Sequence, residues 1–218
     1  MPGMGANPRI FERIEFPKNY DIVYLSWFPP NKAESLEQYA QRMCSRIHHQ
    51  NPILLGVSFG GVLVQEMANF INCERVIIVS SIKSDQELSQ SMKVAKVTNA
   101  HKLLPTKWIQ NIEVFALFVF GDAIRVRLKR YQRYLSERDP EYLNWAIDRL
   151  VKWDKNKPLS QLIHIHGVDD VVFPFRNIQR PVIKIPGDHA IILTQSEWFT
   201  QNLPIILSGN FEDLSNLE

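Results

Sequence analysis

The 218-residue sequence predicts an α/β fold built on a doubly wound, mostly parallel sheet. Short β-branched, apolar runs alternate with helix-rich segments in the outer parts of the chain. Apolar runs of this kind suit strands that are covered on both faces, as they are in parallel sheets. Between about residues 84 and 158 the strand signal disappears and helical patterns replace it. We therefore expect a core domain formed by residues 1–83 and 159–218, with residues 84–158 inserted as a helical cap.

Five runs carry the strand signal, and the first four are separated by helix-rich segments. In chain order they are 21-DIVYLSW-27, 53-ILL-55, 75-RVIIVSS-81, 161-QLIHIHG-167 and 181-PVIKIPG-187. The inserted region shows a helix start instead. Asp139 suits the N-cap and Pro140 the first helical position. After them Leu143, Ile147 and Leu150 recur on one helical face.

Composition excludes several classes of protein. The hydrophobic fraction of 45% argues against disorder, and a net charge of +2 does not favour binding to nucleic acid or to an anionic membrane. The longest apolar run, 114-VFALFVF-120, is about a third of a membrane span. Cys44 and Cys73 do not form a CxxC pair, and no basic, apolar leader precedes them. We expect a soluble, cytoplasmic protein with reduced thiols.

The stretch 56-GVSFGG-61 lies where an apolar strand meets a helix that we expect to be amphipathic. A serine hydroxyl is a poor nucleophile unless it is held proud of the surface, beside a base and beside donors for an oxyanion. A tight strand-to-helix turn does the first and third of these, and it needs small residues two before and two after the serine. Gly56 and Gly60 fill those places around Ser58, and Gly61 gives the helix further room. The backbone amide of Phe59 is then the first candidate oxyanion donor.

A nucleophile of this kind predicts an acid after a later strand and then a histidine nearer the C-terminus. The segment 162-LIHIHGVDDVVFP-174 is an apolar strand that ends in a glycine and two aspartates. In 182-VIKIPGDHA-190 another strand ends in a turn that carries His189. We expect His189 to be the base, because among the six histidines it alone lies in a loop just beyond a C-terminal strand. His164 and His166 alternate with isoleucine and are expected to be buried strand residues.

The elbow GVSFGG, the acid segment HGVDDVVFP and the late PGDHA together resemble the α/β-hydrolase superfamily, in the same order and across nearly the whole chain. In that family the acid commonly follows the glycine by three residues, which implies Asp170. Asp169 is the second candidate, and Asp85 is a third because some members place the acid after the strand that follows the elbow. Asp188 is expected to be a turn residue.

The resemblance also implies a second oxyanion donor from an earlier loop. The opening 1-MPGMG-5 is similar to that loop with proline in place of histidine, so the amide of Met4, or else of Gly5, is the candidate. The family's strand leading into this loop lies between the strand expected at residues 21–27 and the one entering the elbow, and the first hairpin is not apparent. We expect a minimal version of the fold in which residues upstream of Met1 supply this strand, or in which strand exchange or distortion compensates for it.

The expected function is hydrolysis of a carboxylic ester or thioester of a small molecule through an acyl-enzyme, without a metal or organic cofactor. Other chemistry on the same triad, or a ligand-binding or interaction role with little turnover, stays open. A cap rich in Phe, Leu and Trp, including Trp108, suits an apolar substrate or simply packs as cap core. Arg125, Lys129 and Arg133 form a stripe that is either a solvated face or a site for an anionic substrate. No nucleic-acid or membrane partner is expected, and the oligomeric state is left open.

Overall fold

A computed structural model describes residues 1–103 and 132–209 of the chain. Its sheet has four parallel strands in the order β1-β2-β3-β4. Their bounds are Ile53–Val57 for β1, Arg75–Val79 for β2, Leu162–Gly167 for β3 and Ile183–Ile185 for β4. Four of the five predicted strands and the parallel sheet flanked by helices are thereby confirmed. Because parallel strands end at one edge, the segments after β1, β3 and β4 meet there.

Six α-helices accompany the strands within the described residues. They are α1 Leu36–Cys44, α2 Phe59–Met67, α3 Gln90–Thr98, α4 Pro140–Lys152, α5 Ile191–Thr194 and α6 Ser196–Ser208. Short 3-10 turns lie at Pro8–Phe11, Asp85–Glu87, Ala100–Leu103, Gln132–Tyr134 and Phe175–Asn177. None of the helices in the described ranges is long and apolar enough to cross a membrane.

The start of α4 follows the predicted capping chemistry. The Asp139 side chain accepts a hydrogen bond from the backbone amide of Tyr142 at 2.8 Å, and Pro140 occupies the first turn, where no intrahelical donor is needed. Leu143 and Ile147 of the predicted apolar face are buried, as is Leu150. This confirms the helix and the face that it turns inward.

Helix α2 differs from the amphipathic helix that the sequence predicts. Every residue from Phe59 to Met67 is buried, because α2 packs against both β1 and α1. Its two polar residues form hydrogen bonds inside the core, although Gln65 Oε1 is buried without a partner among the described residues. The Gln65 amide donates to the carbonyl of Ile82 at 2.8 Å, and the Glu66 carboxylate accepts from the Trp153 indole at 2.9 Å. The helix that carries the elbow is therefore held on all sides.

The strand predicted at residues 21–27 is wrong. This segment has no regular secondary structure, and no backbone hydrogen bond to another described residue is found along it. A strand exists only when a neighbouring backbone completes its ladder, and β-branched composition does not supply one. The consecutive residues Ile22, Val23 and Tyr24 are all exposed, so the alternation of buried and exposed side chains that a strand would show is also absent.

Two helices and three of the short turns lie in the part of residues 84–158 that the structure describes. The sequence features at Trp108, at residues 114–120 and at Arg125 and Lys129 lie outside the described residues. The division of the chain into a core and an inserted cap stays a prediction.

Candidate active site

Ser58 occupies a strained position between β1 and α2. Its backbone has φ 52° and ψ −123°, a conformation that L-residues other than glycine rarely adopt. The side chain is 7% exposed. The Ser81 hydroxyl donates to the Ser58 carbonyl at 2.7 Å, and the Ser58 amide donates to Val79 at 2.9 Å. The turn is therefore held from β2 and from the loop that follows it.

The glycines around Ser58 allow close approach of three backbone segments. A Cβ on Gly56 would lie 2.3 Å from the carbonyl oxygen of Gly60, and one on Gly60 would lie 2.3 Å from that of Pro2. A Cβ on Gly61 would lie 2.5 Å from the Ser81 hydroxyl oxygen. Any side chain at these positions collides, so the small-residue pattern that the sequence shows is a packing requirement of the turn.

The predicted base and acid meet the serine at the carboxyl edge of the sheet. His189 Nε2 and Ser58 Oγ are 2.8 Å apart, and His189 Nδ1 and Asp170 Oδ2 are 2.7 Å apart. Because an ionised carboxylate only accepts hydrogen bonds, Nδ1 carries the proton and donates to Asp170. In that tautomer of neutral imidazole, Nε2 accepts a hydrogen bond from the serine hydroxyl. His189 and Asp170 are 2% and 4% exposed.

Asp170 is held as a carboxylate by donors on both oxygens. Its Oδ1 accepts from the backbone amides of Val172 and Phe173 at 2.8 and 2.9 Å. Burial by itself would raise the pKa of Asp170, but the charge and hydrogen bond of His189, with smaller contributions from His166 and Phe173, outweigh it and lower the pKa overall. The acid is therefore ionised and fixed in orientation toward Nδ1.

The other acidic candidates lie elsewhere. Asp169 is exposed, and its backbone amide donates to the Gly187 carbonyl at 2.9 Å. Asp188 accepts from the Ala190 amide at 2.9 Å, as a turn residue does. Asp85 forms an ion pair with Lys96 at 3.0 Å. Of the candidate acids, only Asp170 is hydrogen-bonded to His189.

The N-terminal segment lies directly against the elbow. Residues 1–6 are all buried, and a Cβ on Gly3 would lie 3.3 Å from that of Ser58. The Trp27 indole donates to the Gly3 carbonyl at 2.8 Å, which holds the loop in place. The Gly5 amide points to the Tyr142 hydroxyl at 3.4 Å. The amides of Met4 and Phe59 donate no hydrogen bond to a described residue, so both are available as oxyanion donors.

His166 is a contact of the acid that the sequence reasoning missed as a functional candidate. As expected, it is buried in β3, but its Nε2 donates to the Phe173 carbonyl at 2.9 Å and lies 3.4 Å from Asp170 Oδ2. Its Nδ1 then accepts from His164 Nε2 at 3.0 Å. Burial lowers the pKa of His166, against the opposing effects of Asp170 and Phe173, so the ring is neutral. Its position four residues before Asp170 was the available signal.

Two further expectations concern ligands. Arg133, the member of the basic stripe within the described residues, forms an ion pair with Glu12 and hydrogen-bonds the Tyr134 hydroxyl, so it is already engaged. Among residues 1–103 and 132–209, no cluster of histidine, cysteine and acidic side chains has the arrangement of a metal site.

Comparison with solved structures identifies the fold. A hydrolase from Oleispira antarctica superposes with a TM-score of 0.73 at 12% identity, over 96% of this chain and 89% of its own. An esterase from Exiguobacterium antarcticum superposes with a TM-score of 0.68 at 18% identity, over 96% of this chain and 92% of the esterase. A putative non-heme bromoperoxidase from Mycobacterium tuberculosis superposes with a TM-score of 0.66 at 12% identity, over 95% of this chain and 90% of the bromoperoxidase. No family model and no curated protein matches the sequence. The predicted resemblance to the α/β-hydrolase superfamily is confirmed at the level of the fold.

Proposed function

We propose that this protein of the α/β-hydrolase fold is a serine hydrolase that cleaves a carboxylic ester or thioester. The observation that carries the proposal is the continuous hydrogen-bonded series Asp170–His189–Ser58, with atom separations of 2.7 and 2.8 Å. Such a series is the arrangement that activates a serine hydroxyl. The strained backbone of Ser58 supports the same proposal, because strained residues of this kind are concentrated at active sites, where the surrounding structure holds them in place.

The first half-reaction forms the acyl-enzyme. Ser58 Oγ attacks the substrate carbonyl carbon while His189 Nε2 takes the hydroxyl proton. Asp170 stabilises the imidazolium that forms and keeps Nδ1 protonated. His189 then gives the proton to the leaving alcohol or thiol, and the carbon–oxygen or carbon–sulfur bond breaks. The ester bond to Ser58 remains.

The tetrahedral intermediate carries its negative charge on the former carbonyl oxygen. We assign its stabilisation to the backbone amides of Phe59 and Met4. The Phe59 amide is at the N-terminus of the nine-residue helix α2, where the helix dipole favours negative charge. Donors of this kind are each worth on the order of 3 kcal/mol of barrier when they are preorganised.

Hydrolysis of the acyl-enzyme reuses the same groups. A water molecule gives a proton to His189 Nε2 as it attacks the acyl carbon, and the proton then returns to Ser58 as the acid product leaves. None of these steps requires a metal or an organic cofactor. The protein groups exchange one proton and return to their starting state.

We propose a small, apolar acyl or alcohol group as the substrate moiety. The elbow is flanked by aromatic rings rather than by charges. The Phe59 ring stacks on Trp27 with centroids 5.3 Å apart, and Tyr142 lies 5.3 Å from the same indole. With Ser58 only 7% exposed, a small group is favoured over a bulky one.

The test is intact-mass analysis after exposure to a fluorophosphonate, which reports an activated serine without needing the substrate. The parent protein and a His48→Ala variant, whose histidine is exposed and does not belong to the Asp170–His189–Ser58 series, should each gain one adduct. Ser58→Ala and His189→Ala should gain none. Absence of an adduct on the folded parent, with folding verified by circular dichroism, would refute the hydrolase proposal and favour a ligand-binding role. Labelling is followed by a panel of short- and long-chain esters and thioesters.

A further inference from the structure

The loop that carries the candidate oxyanion donor Met4 is a tight turn. Residues 3–6 form a β-turn closed by the Ala6 amide, which donates to the Gly3 carbonyl at 3.1 Å. Gly5 has φ 70°, whereas the φ of Met4 is not positive. A positive φ at the third position and a negative φ at the second are typical of a type II turn. The peptide between Met4 and Gly5 therefore has one defined orientation.

A segment that lies between β2 and β3 in the chain contacts this turn through its backbone. The Gly5 carbonyl accepts from the Glu137 amide at 3.0 Å. One residue after the turn, the Asn7 amide donates to the Tyr134 carbonyl at 2.8 Å. These two bonds fix the path of the loop against residues 134–137.

Tyr142, near the start of α4, adds a side-chain contact to the same turn. The Gly5 amide donates to the Tyr142 hydroxyl at 3.4 Å, so both polar groups of the Gly5 backbone are bound by residues between β2 and β3. The Tyr142 ring lies 5.3 Å from the Trp27 indole, which donates to the Gly3 carbonyl at 2.8 Å. Because its amide is already bound, Gly5 is a poorer oxyanion donor than Met4.

The Tyr142 hydroxyl is accounted for by this contact. Tyr142 is 3% exposed, and burial raises the pKa of its phenol, so the hydroxyl stays protonated. Within residues 1–103 and 132–209, its oxygen is hydrogen-bonded to the Gly5 amide alone. A buried hydroxyl costs free energy unless it is hydrogen-bonded, and a phenylalanine ring would fill the same place beside Trp27. The bond to Gly5 is therefore what distinguishes tyrosine from phenylalanine at this position.

We propose that Tyr142 is a positioning residue of the oxyanion hole, which holds the Met4–Gly5 peptide so that the Met4 amide is preorganised to donate to the tetrahedral intermediate. Without this hydroxyl no described residue accepts from the Gly5 amide. Rotation of the central peptide of a turn changes ψ of its second residue and φ of its third, so the backbone at Met4 would lose its single conformation. An oxyanion donor is most effective when it needs no reorganisation during the reaction. This inference rests on the proposed serine-hydrolase function and adds a residue from outside the triad.

The first test measures how fast a fluorophosphonate labels the protein at several reagent concentrations. Intact mass then gives the maximum labelling rate and, separately, the concentration at which half of that rate is reached. Tyr142→Phe removes the hydroxyl and keeps the ring beside Trp27. Tyr39→Phe is the matched control, because Tyr39 is also buried and lies 6.1 Å from the Trp27 indole, but its hydroxyl is hydrogen-bonded to the Phe28 backbone.

Tyr142→Phe should lower the maximum labelling rate about tenfold and change the half-saturating concentration by less than about twofold. This loss is smaller than the roughly 10²–10³-fold expected from removal of a donor, because the Met4 amide is loosened and not deleted. Tyr39→Phe should lower the thermal midpoint at least as much, since it removes two hydrogen bonds, yet it should label at the parent rate. Equal labelling rates for Tyr142→Phe and the parent, or equal losses of rate in the two variants, would overturn the proposal.

The second test asks whether Tyr142 acts through the Met4 amide. Met4→Pro removes that amide and suits the second position of a type II turn, whereas Met4→Ala shortens the side chain and keeps the amide. Adding Tyr142→Phe should slow labelling about tenfold in the Met4→Ala background and by less than about twofold in the Met4→Pro background. The same effect in both backgrounds would show that Tyr142 does not act through this amide, and would overturn the proposal.

The proposed function and the role of Tyr142 fail in different ways. Absence of an adduct on the parent, with folding verified by circular dichroism, would overturn both of them. Labelling of the parent at a rate that Tyr142→Phe leaves unchanged would overturn the role of Tyr142 alone.

Discussion

The buried Met1 amine should make the protein lose stability as the pH falls from 8 toward 5. In the unfolded chain the amine has a pKa of 8.0, and in the folded protein desolvation lowers it to about 5. Between these values the unfolded state binds more protons, so the free energy of unfolding rises with pH and falls as acid is added. A difference of about three pKa units corresponds to about 4 kcal/mol in total, of which about 2 kcal/mol is lost by pH 6.5.

The perturbation is acetylation of the Met1 amine, which keeps the N–H that donates to Leu55 but removes the titration. Urea unfolding followed by tryptophan fluorescence at pH 8.0, 7.2 and 6.5 gives the free energy for each form, and intact mass verifies the terminus. The free-amine protein should lose about 1.6 kcal/mol more than the acetylated one as the pH falls from 8.0 to 6.5, because about 0.4 kcal/mol of the effect is already lost at pH 8.0.

Other groups titrate identically in the two forms. Burial also lowers the pKa of His164 and of His166, and both oppose folding in acid below about pH 6.5, but they are present in each protein. The difference between the forms therefore isolates the amine. Parallel pH profiles for the free and acetylated proteins would refute the burial of the amine and, with it, its hydrogen bond to the Leu55 carbonyl.

Three further predictions address the active-site network. Ser58→Gly should abolish fluorophosphonate labelling. Its free energy of unfolding should exceed that of Ser58→Ala by roughly 1 kcal/mol, because glycine adopts the positive φ at this position without strain. Equal stabilities of the two variants in urea would contradict this prediction. Asp170→Asn should slow labelling by about 10³-fold or more, whereas Asp169→Asn, at the adjacent exposed residue, should leave the rate unchanged. Similar labelling rates for the two variants would show that the acid is misassigned. His166→Leu should lower the free energy of unfolding in urea by about 1–3 kcal/mol, because it leaves the Phe173 carbonyl unpaired, and it should also slow labelling. His166→Gln should recover part of both losses. A loss of stability without any change in the labelling rate would show that the residue is purely structural.

The approach of Ser58, Asp170 and His189 to one another was predictable from sequence because each of them lies in a segment with a local mark. The elbow needs glycine at positions 56 and 60 for steric reasons, and these glycines are visible in the sequence. His189 follows a strand, and parallel strands deliver their ends to one edge. The selection of Asp170 over Asp169 rested on the resemblance, and the structure agrees because the two backbone amides after Asp170 orient its carboxylate.

The strand wrongly predicted at residues 21–27 and the contact of His166 that was not predicted share a different cause. Residues 21–27 have every local property of a strand, yet a strand is a relation between two backbones, and composition reports on only one of them. The contact of His166 with the acid was missed for a similar reason. Alternation with isoleucine predicts burial, but the partner of a buried ring is decided by the loop that folds over it. Local periodicity predicts which residues turn inward and leaves their partners undetermined.

The candidate active site joins residues that are far apart in the chain, and this has a consequence for folding during synthesis. Ser58 and His189 are 131 positions apart in the chain, and the loop at Met1 also packs on the elbow. The elbow and its glycines must therefore wait for most of the polypeptide before the base arrives. Contacts of such long range make folding slow, and a nascent chain released before β4 would carry a strained serine with no base to use it. The hydrogen-bonded series is therefore complete only after β4 has joined the sheet and placed His189 beside Ser58.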